Sequence, residues 1–172
     1  MIAIGEKAPD FDLPLTNGAT IDALPPAPEA PDAPARVTLS ALAPRRVVLY
    51  FYPKDDTPGC TTEALDFTRL LPEFTAAGAV VLGISKDSPA QHAKFCARHG
   101  LGVGLLSDVS GETCQGYGAW VEKRLYGRVS MGIERRTVLI DETGRVAQIW
   151  PKVKVAGHAE AVLAALGTLP AG

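Results

Sequence analysis

Two continuous apolar, β-rich runs constrain the fold of this chain more than any other feature. They are VVLYFY at 47–52 and AVVLGIS at 79–85. Apolar runs without alternation are typical of strands buried on both faces of a sheet, and such sheets are covered by helices. The residues between the runs show apolar side chains at helical spacing, ending before Gly78: Ala64, Phe67, Leu70, Leu71 and Phe74. A strand, a helix and a second strand form a βαβ unit, so the two strands are predicted to be parallel.

The rest of the chain continues the α/β pattern. Ser88 is a good helix cap, and the helix after it is predicted to end at Gly100. Three later segments predict a short strand (VGLLSD), a short glycine-broken helix or loop (GETCQGYGAW), and a hairpin (RTVLIDETGRVAQIW). GHAEAVLAALG predicts a final amphipathic helix. Pro72 is expected to kink the first helix or split its last turn.

Composition limits what the molecule can be. The chain has 172 residues, which fits one domain spanning 1–172, with 47% apolar and 21% charged residues. A net charge of −2 gives no reason to expect nucleic acid or an anionic membrane as a partner. There is no apolar run near the length of a membrane span and no signal-peptide layout at the start, so we expect a soluble, cytoplasmic protein. The Pro- and Ala-rich stretch 22–36 predicts an extended surface loop insertion.

The number and spacing of the cysteines argue against a disulfide framework and against a metal site. There are three, an odd number, and none forms a C-x-x-C pair. Cys96 and His99 are spaced as two ligands could be, but two further ligands are missing, so no metal is predicted. His92 and His99 are expected to be surface residues of their helix, and Lys54, Asp55 and Asp56 a polar loop.

The stretch FYPKDDTPGCTTEALDF, 51–67, places Cys60 directly after a Pro-Gly turn and at the start of the first helix. A thiol at a helix N-terminus has a lowered pKa and is a reactive nucleophile at neutral pH. A thiolate that attacks a peroxide O–O bond also needs hydrogen-bond donors and positive charge for the oxygens. Cys60 is therefore the candidate nucleophile.

Nearby residues can supply those groups. Thr57 lies three residues before Cys60, so its hydroxyl is expected to face the sulfur, and the amides of Gly59 and Cys60 can point into the same pocket. Pro53 is expected to end the strand and shield the thiolate from water. A distant arginine would add fixed positive charge, and Arg135 and Arg136 are the candidates. Glu63 could complete a capping pattern or pair with Arg135, and Trp120 could edge the pocket.

The motif Pro53-x-x-x-Thr57-x-x-Cys60 resembles the peroxidatic motif of the peroxiredoxins, and the chain is most similar to the peroxiredoxin Q group, also called bacterioferritin comigratory protein. GEKAPDFDLPLTNG, GISKDSPAQHAKFCARHGL, LLSD, YGAW and MGIERRTVLIDETGRV resemble family segments in the same order. Within GIERRTVLID, Arg135 rather than Arg136 matches the active-site arginine of the family.

The resemblance implies a thioredoxin-like α/β fold with an N-terminal extension and a central mixed sheet flanked by helices. It implies reduction of hydrogen peroxide and organic hydroperoxides to water and alcohols, with electrons from thioredoxin or a similar dithiol. Cys60 would become a sulfenic acid and then part of a disulfide. No metal, haem or flavin cofactor is implied, and the default assembly is a monomer.

The chain departs from the family at one position. Many members carry a second cysteine where this chain has Leu65. A subset places the resolving cysteine in the next helix, which here assigns the role to Cys96. A disulfide needs Cα atoms within about 7 Å, so we expect local unwinding around one or both thiols during turnover. Cys114 as resolving thiol, or a one-cysteine mechanism with an external thiol, are the alternatives.

Two other classes of protein compete with a peroxidase. One is a non-catalytic thioredoxin-fold module that binds a partner, which the intact motif at Cys60 argues against. The other is a thiol–disulfide exchange protein, which the missing C-x-x-C argues against. Consumption of peroxide that depends on Cys60 would separate the peroxidase from both.

Overall fold

A seven-stranded mixed sheet forms the centre of the molecule in the computed structural model, which describes residues 2–18 and 35–170. The strands of the described residues are β1 (Asp12–Thr16), β2 (Arg36–Thr38), β3 (Arg46–Phe51), β4 (Ala79–Ser85), β5 (Gly104–Ser107), β6 (Trp120–Leu125), β7 (Arg128–Ile133), β8 (Arg136–Ile140) and β9 (Val146–Trp150). Across the sheet the order is β2-β1-β5-β4-β3-β8-β9, and β6 and β7 form a separate hairpin.

The predicted βαβ unit is present. β3 and β4 are parallel neighbours, with Val47 opposite Val80, and β5 adds a further parallel strand beside β4. β8 is antiparallel to β3, and β9 completes the predicted hairpin with β8. The α-helices of the described residues are α1 (Pro58–Ala76), α2 (Pro89–His99), α3 (Glu112–Gly116) and α4 (His158–Gly167), and a short 3-10 helix spans Ser40–Leu42. α1 therefore joins β3 to β4, and its first turn lies at the carboxyl end of β3.

Both faces of the sheet are buried, which explains the unbroken apolar sequence of β3. Val47, Leu49 and Phe51 face one core cluster, whereas Val48 and Tyr50 belong to a second cluster on the other face. The second cluster also contains apolar residues of three helices: Ala64, Phe67 and Phe74 of α1, Phe95 of α2, and Val162 and Leu166 of α4. α3 contributes to the first cluster instead. Each apolar residue of the strand thus contributes to one of two separate cores.

Local sequence signals set the helix ends as predicted. Ser88 caps α2 by accepting from the Gln91 backbone amide, while the Gln91 side chain accepts from Ser88. Gly100 ends α2 in the left-handed region, with φ 62°. Pro72 lies inside α1, and the helix continues past it to Ala76 instead of splitting there. The phenyl rings and other apolar side chains that α1 buries against the sheet outweigh the backbone hydrogen bond that a proline removes.

The hairpin β6–β7 and the strands β1 and β2 were not predicted. Their side chains are mostly exposed or half-buried. WVEKRL does not alternate, whereas RVSMGI does, with Val129, Met131 and Ile133 at every second position, and of these only Ile133 is buried. β1 and β2 form the N-terminal extension of the sheet. Most of the predicted insertion at 22–36 lies outside the described residues, and only its last two positions, Ala35 and Arg36, are described. In the described ranges no helix has the length and apolar character needed to cross a bilayer.

Candidate active site

Cys60 lies in the first turn of α1 and is 1% exposed. Thr57 is the N-cap residue, and Pro58 occupies the first helical position, where its missing amide and fixed φ suit a helix start. The Thr61 amide closes the first turn by donating to the Thr57 carbonyl at 2.9 Å. The prediction that Cys60 stands at the start of the helix that follows the buried strand is confirmed.

Arg135 is the positively charged group at the sulfur. It directly precedes β8, whose Arg136 pairs with Phe51 at the end of β3, so the sheet register brings Arg135 beside the start of α1. Its Nη2 donates to Cys60 Sγ at 3.3 Å. Arg136 instead donates to Glu134 at 3.1 Å. Of the two arginines, only Arg135 reaches the thiol.

Glu63 fixes the other side of the Arg135 guanidinium. It lies nearly one helical turn after Cys60, is 1% exposed, and its Oε1 accepts from Arg135 Nη1 at 2.7 Å. The expectation that Glu63 could pair with Arg135 is therefore correct. The second carboxylate oxygen, Oε2, has no hydrogen-bond partner in the described part of the chain. A guanidinium held in this way presents its remaining N–H groups in a defined direction at the sulfur.

The electrostatics around Arg135 reflect burial. Burial raises the pKa of Glu63 to about 7, against the opposing effect of the Arg135 charge. His158 packs near the same group, and burial together with the Arg135 charge lowers its pKa to about 4. His158 Nε2 forms a hydrogen bond of 2.7 Å with Thr137 Oγ1. At neutral pH Arg135 is therefore the cation of this group, and His158 is uncharged.

The Thr57 hydroxyl uses its proton in a local hydrogen bond. It donates to the Lys54 carbonyl at 2.9 Å and forms no hydrogen bond with Cys60 in the described residues. The carbonyl three residues earlier is a stronger acceptor than a thiol sulfur, and it completes a tight local turn. With its proton directed at Lys54, the Thr57 oxygen keeps its lone pairs to accept a hydrogen bond from another molecule.

The two other predicted residues of the motif contribute in different ways. Pro53 follows the end of β3, as expected, and is exposed to solvent. Cys60 is buried as a member of the apolar cluster that also contains Tyr52 and Ala64. Gly59 matters for close approach, since a Cβ at this position would lie 3.2 Å from Arg135 Nη2. Trp120, expected at the pocket edge, carries the Lys86 ammonium over its ring at 4.4 Å.

The three thiols are free and lie in different environments. Cys96 is half-buried on α2 and packs against the same apolar cluster that contains Cys60. Burial, and then the Asp55 carboxylate, raise the pKa of Cys96 to about 11. Cys114 is fully buried in the cluster on the opposite face of the sheet, and burial raises its pKa strongly. The sheet therefore brings Cys96 into the layer of Cys60 and separates Cys114 from both.

The expectation that His92 is a surface residue is wrong. His92 is 0% exposed, with Nδ1 2.7 Å from Asp55 Oδ2 and Nε2 3.0 Å from the Leu106 carbonyl. Asp55 is buried as well, and the Tyr52 hydroxyl donates to its Oδ1 at 2.6 Å. The sequence contained a signal for this burial, because His92 precedes the buried Phe95 by three residues on the same face of α2.

Asp55, Asp87 and His92 form the group of potential metal ligands in the described residues. One ligand atom from each lies within 4.8 Å of the others. Hydrogen bonds already account for these side chains, since Asp87 Oδ2 accepts from the Asp55 amide at 2.9 Å and from the Ser85 hydroxyl at 2.7 Å. The group is a satisfied hydrogen-bond network that joins the loop before α1 to the start of α2.

Similarity to known proteins agrees with this geometry. A sequence profile of the AhpC/TSA family matches residues 4–149. Peroxiredoxin Bcp of Xanthomonas campestris is 49% identical over 160 residues, covering 92% of this chain and 91% of that protein. A solved structure of the Xanthomonas campestris bacterioferritin comigratory protein, described for its alkyl peroxide reduction activity, has a TM-score of 0.79 and 45% identity. It covers 91% of this chain and 90% of its own.

Two further solved structures are cysteine-to-serine mutants of Xanthomonas campestris peroxiredoxin Q, each 46% identical with a TM-score of 0.79. They cover 91% of this chain, and 89% and 90% of their own. The two mutated cysteines have the same spacing along their chain as Cys60 and Cys96 have here.

Proposed function

The chain belongs to the AhpC/TSA family and is a peroxiredoxin of the Q (Bcp) group, and on this premise we propose how its residues divide the work. Cys60 is the thiol that attacks the peroxide, and Cys96 is the thiol that resolves the product. Thr57, Gly59 and Arg135 bind the substrate oxygens, and Pro53 sets the end of β3 in front of them. The substrates are hydrogen peroxide and organic hydroperoxides, which become water and alcohols.

The contact of Arg135 Nη2 with Cys60 Sγ at 3.3 Å carries this proposal. The thiolate attacks one peroxide oxygen, the O–O bond breaks, and the second oxygen leaves as hydroxide or alkoxide that takes up a proton. Cys60 is oxidised to a sulfenic acid, and the peroxide is reduced. A guanidinium beside the sulfur places fixed positive charge where negative charge moves from sulfur to oxygen. The Thr57 lone pairs can accept from the peroxide O–H, which orients it for the attack.

Three observations favour Cys96 over Cys114 for the resolving step. Cys96 packs against the apolar cluster that contains Cys60, whereas Cys114 is on the other face of the sheet. Cys96 is partly accessible and Cys114 is not. The spacing of the two mutated cysteines in the Xanthomonas campestris structures supports the same pair. A one-cysteine mechanism is the alternative outcome if no crosslink forms.

The finer properties follow from the same mechanism. An intramolecular disulfide needs two electrons from outside, so a thioredoxin or a similar dithiol is the proposed reductant. Free thiols in an odd number suit a reducing compartment, and we place the protein in the cytoplasm as a monomer. No cofactor is required, because the two sulfurs carry both electrons.

Mass spectrometry after one equivalent of hydrogen peroxide tests the proposal. We expect the intact protein to lose two hydrogens and a non-reduced peptide map to show Cys60 joined to Cys96. Cys114→Ser is the matched control and should behave like the parent protein. Peroxide consumption no greater than that of Cys60→Ser would leave a non-catalytic binding module instead. A Cys60 sulfenic acid without a crosslink, or a crosslink to Cys114, would refute the role of Cys96.

A further inference from the structure

A chain of contacts joins the loop before Cys60 to the whole length of α2. At the start of α2, the Asp55 amide donates to Asp87 Oδ2 at 2.9 Å, directly before the Ser88 cap. One turn into the helix, His92 Nδ1 lies 2.7 Å from Asp55 Oδ2. Asp55 thus bonds to two buried side chains at the start of α2, those of Asp87 and His92.

The last turn of α2 is joined to the next residue of the same loop. His99 Nε2 lies 2.8 Å from Asp56 Oδ1, and Arg98 Nη1 lies 3.5 Å from Asp56 Oδ2. Asp56 has φ 61°, a left-handed conformation that asparagine and aspartate tolerate better than most residues. This backbone turn directs the two adjacent carboxylates, Asp55 and Asp56, to different ends of the same helix.

Cys96 lies between these two attachments. His92, Cys96 and His99 follow one another at spacings of four and three residues, so they share one face of α2. That face is the one toward the loop, because both histidines bond to it. Cys96 is therefore held on the helix face that the loop residues 55 and 56 cover. The nearby Asp55 carboxylate also disfavours the thiolate form of Cys96, in agreement with its raised pKa.

We propose that the Asp55–His92 and Asp56–His99 contacts act together as a clamp that holds α2 closed and so limits the rate at which Cys96 reaches oxidised Cys60. His92 and His99 are positioning residues in this proposal, which rests on the assignment of Cys96 as the resolving thiol. The clamp keeps the resolving thiol protonated and packed while peroxide reacts, and releases it when α2 opens.

The step that the clamp limits is a sulfur exchange. Cys96 Sγ attacks the sulfenic sulfur of Cys60, an S–S bond forms and the S–O bond breaks. The departing hydroxide combines with the proton of the Cys96 thiol to give water. The Cys60 sulfur is reduced and the Cys96 sulfur is oxidised, so the step needs no further reagent. The slower this step, the longer the Cys60 sulfenic acid remains open to a second peroxide and to sulfinic acid formation.

The exposed end of the clamp offers a test that does not threaten folding. His99→Ala removes the contact with Asp56, His99→Gln restores a donor at the same place, and Lys94→Ala is the control at an exposed position of α2. Each reduced protein is examined by hydrogen exchange of the α2 peptide. Each is then given one equivalent of hydrogen peroxide, and acid-quenched samples are mapped for the sulfenic acid and for the Cys60–Cys96 crosslink.

His99→Ala is expected to increase exchange of α2 and to form the crosslink about two- to fivefold faster, as fits the loss of one largely exposed hydrogen bond. His99→Gln and Lys94→Ala should match the parent protein, and the sulfenic acid should appear at the same rate in all of them. His92→Gln should open the helix more, by at least about tenfold, because it breaks a buried pair. At excess peroxide, His92→Gln should also form less sulfinic acid, because faster resolution leaves less time for a second oxidation.

Equal α2 exchange in His99→Ala and Lys94→Ala would overturn the clamp. Greater exchange with an unchanged crosslinking rate would overturn its control of the resolving step. If the parent protein forms the Cys60 sulfenic acid but no crosslink to Cys96, the resolving assignment itself has failed. The hydrogen-exchange comparison still decides separately whether the contacts hold α2.

Discussion

The ionisation of Glu63 should make the stability of this protein fall with rising pH near neutrality. In the folded protein burial raises the pKa of Glu63 to about 7 from an ordinary value of 4.5. Below pH 4.5 the carboxyl is protonated in both folded and unfolded chains. Between 4.5 and about 7 the unfolded chain releases its proton while the folded chain keeps it, so stability decreases as pH rises through this window. Above it the cost is constant.

The structure sets the size of the effect. One pKa unit corresponds to about 1.36 kcal/mol, so the difference between 4.5 and about 7 amounts to about 3 kcal/mol of unfolding free energy. The Arg135 guanidinium already offsets part of the burial cost through its 2.7 Å contact with Oε1, and the unpartnered Oε2 accounts for why the offset is incomplete. Glu63→Gln removes the ionisation and keeps the shape of the side chain.

Urea denaturation of the reduced protein, followed by tryptophan fluorescence from pH 5 to pH 8, measures the effect. The unfolding free energy of Glu63→Gln, relative to the parent, should rise by about 2–3 kcal/mol across this range. Glu142→Gln also removes a carboxylate from an arginine pair, with Arg46, but the pKa of Glu142 is lowered. In Glu142→Gln the dependence of unfolding free energy on pH should therefore differ from that of the parent only at acidic pH. Parallel pH profiles for Glu63→Gln and the parent protein would refute the reasoning.

Three substitutions test other contacts. Gly59→Ala places a Cβ 3.2 Å from Arg135 Nη2 and should slow the reaction with peroxide about tenfold in competition kinetics. Stability should not fall, since alanine favours a helix more than glycine does. An unchanged rate would show that the Arg135 side chain can shift without loss of activity. Gly83→Ala would meet the buried Tyr50 ring at 2.6 Å and should cost about 1–3 kcal/mol in urea denaturation, and a stable variant would contradict the packing. Thr57→Val should lower the peroxide rate about a hundredfold with the fold intact, and Thr57→Ser should restore it; equal rates in Val and Ser variants would remove the hydroxyl from the mechanism.

Much of the fold was predictable because its signals are local. An apolar run of strand length, a helical period after it and a second run define the βαβ unit. The capping pair Ser88 and Gln91 and the glycine at 100 define α2 with almost no tertiary information. β6–β7 was not predicted, although RVSMGI alternates between apolar and other residues, and its strands are largely exposed despite their apolar residues. The two strands are stabilised by hydrogen bonds to each other more than by burial in a core.

The candidate site was predictable as a set of residues but not in its orientations. The motif located Cys60, and the family resemblance selected Arg135, which the sheet register then brings to the sulfur. The direction of the Thr57 hydroxyl depends on which acceptor is nearest after folding, and a sequence does not contain that distance. The burial of His92 and Asp55 follows from two distant segments meeting, so each looked like a surface residue when read alone.

Because the sheet divides the core in two, unfolding in the presence of oxygen changes which thiols can form a disulfide. While the sheet is intact, it separates Cys114 from Cys60 and Cys96, so the third thiol does not compete within the proposed pair. Once the strands separate, all three thiols share one flexible chain, and two of the three possible pairings lock Cys114 to the wrong partner. Refolding from such a chain requires reduction first. Thermal unfolding should therefore be reversible with a dithiol present and increasingly irreversible without one, whatever the intrinsic stability of the fold.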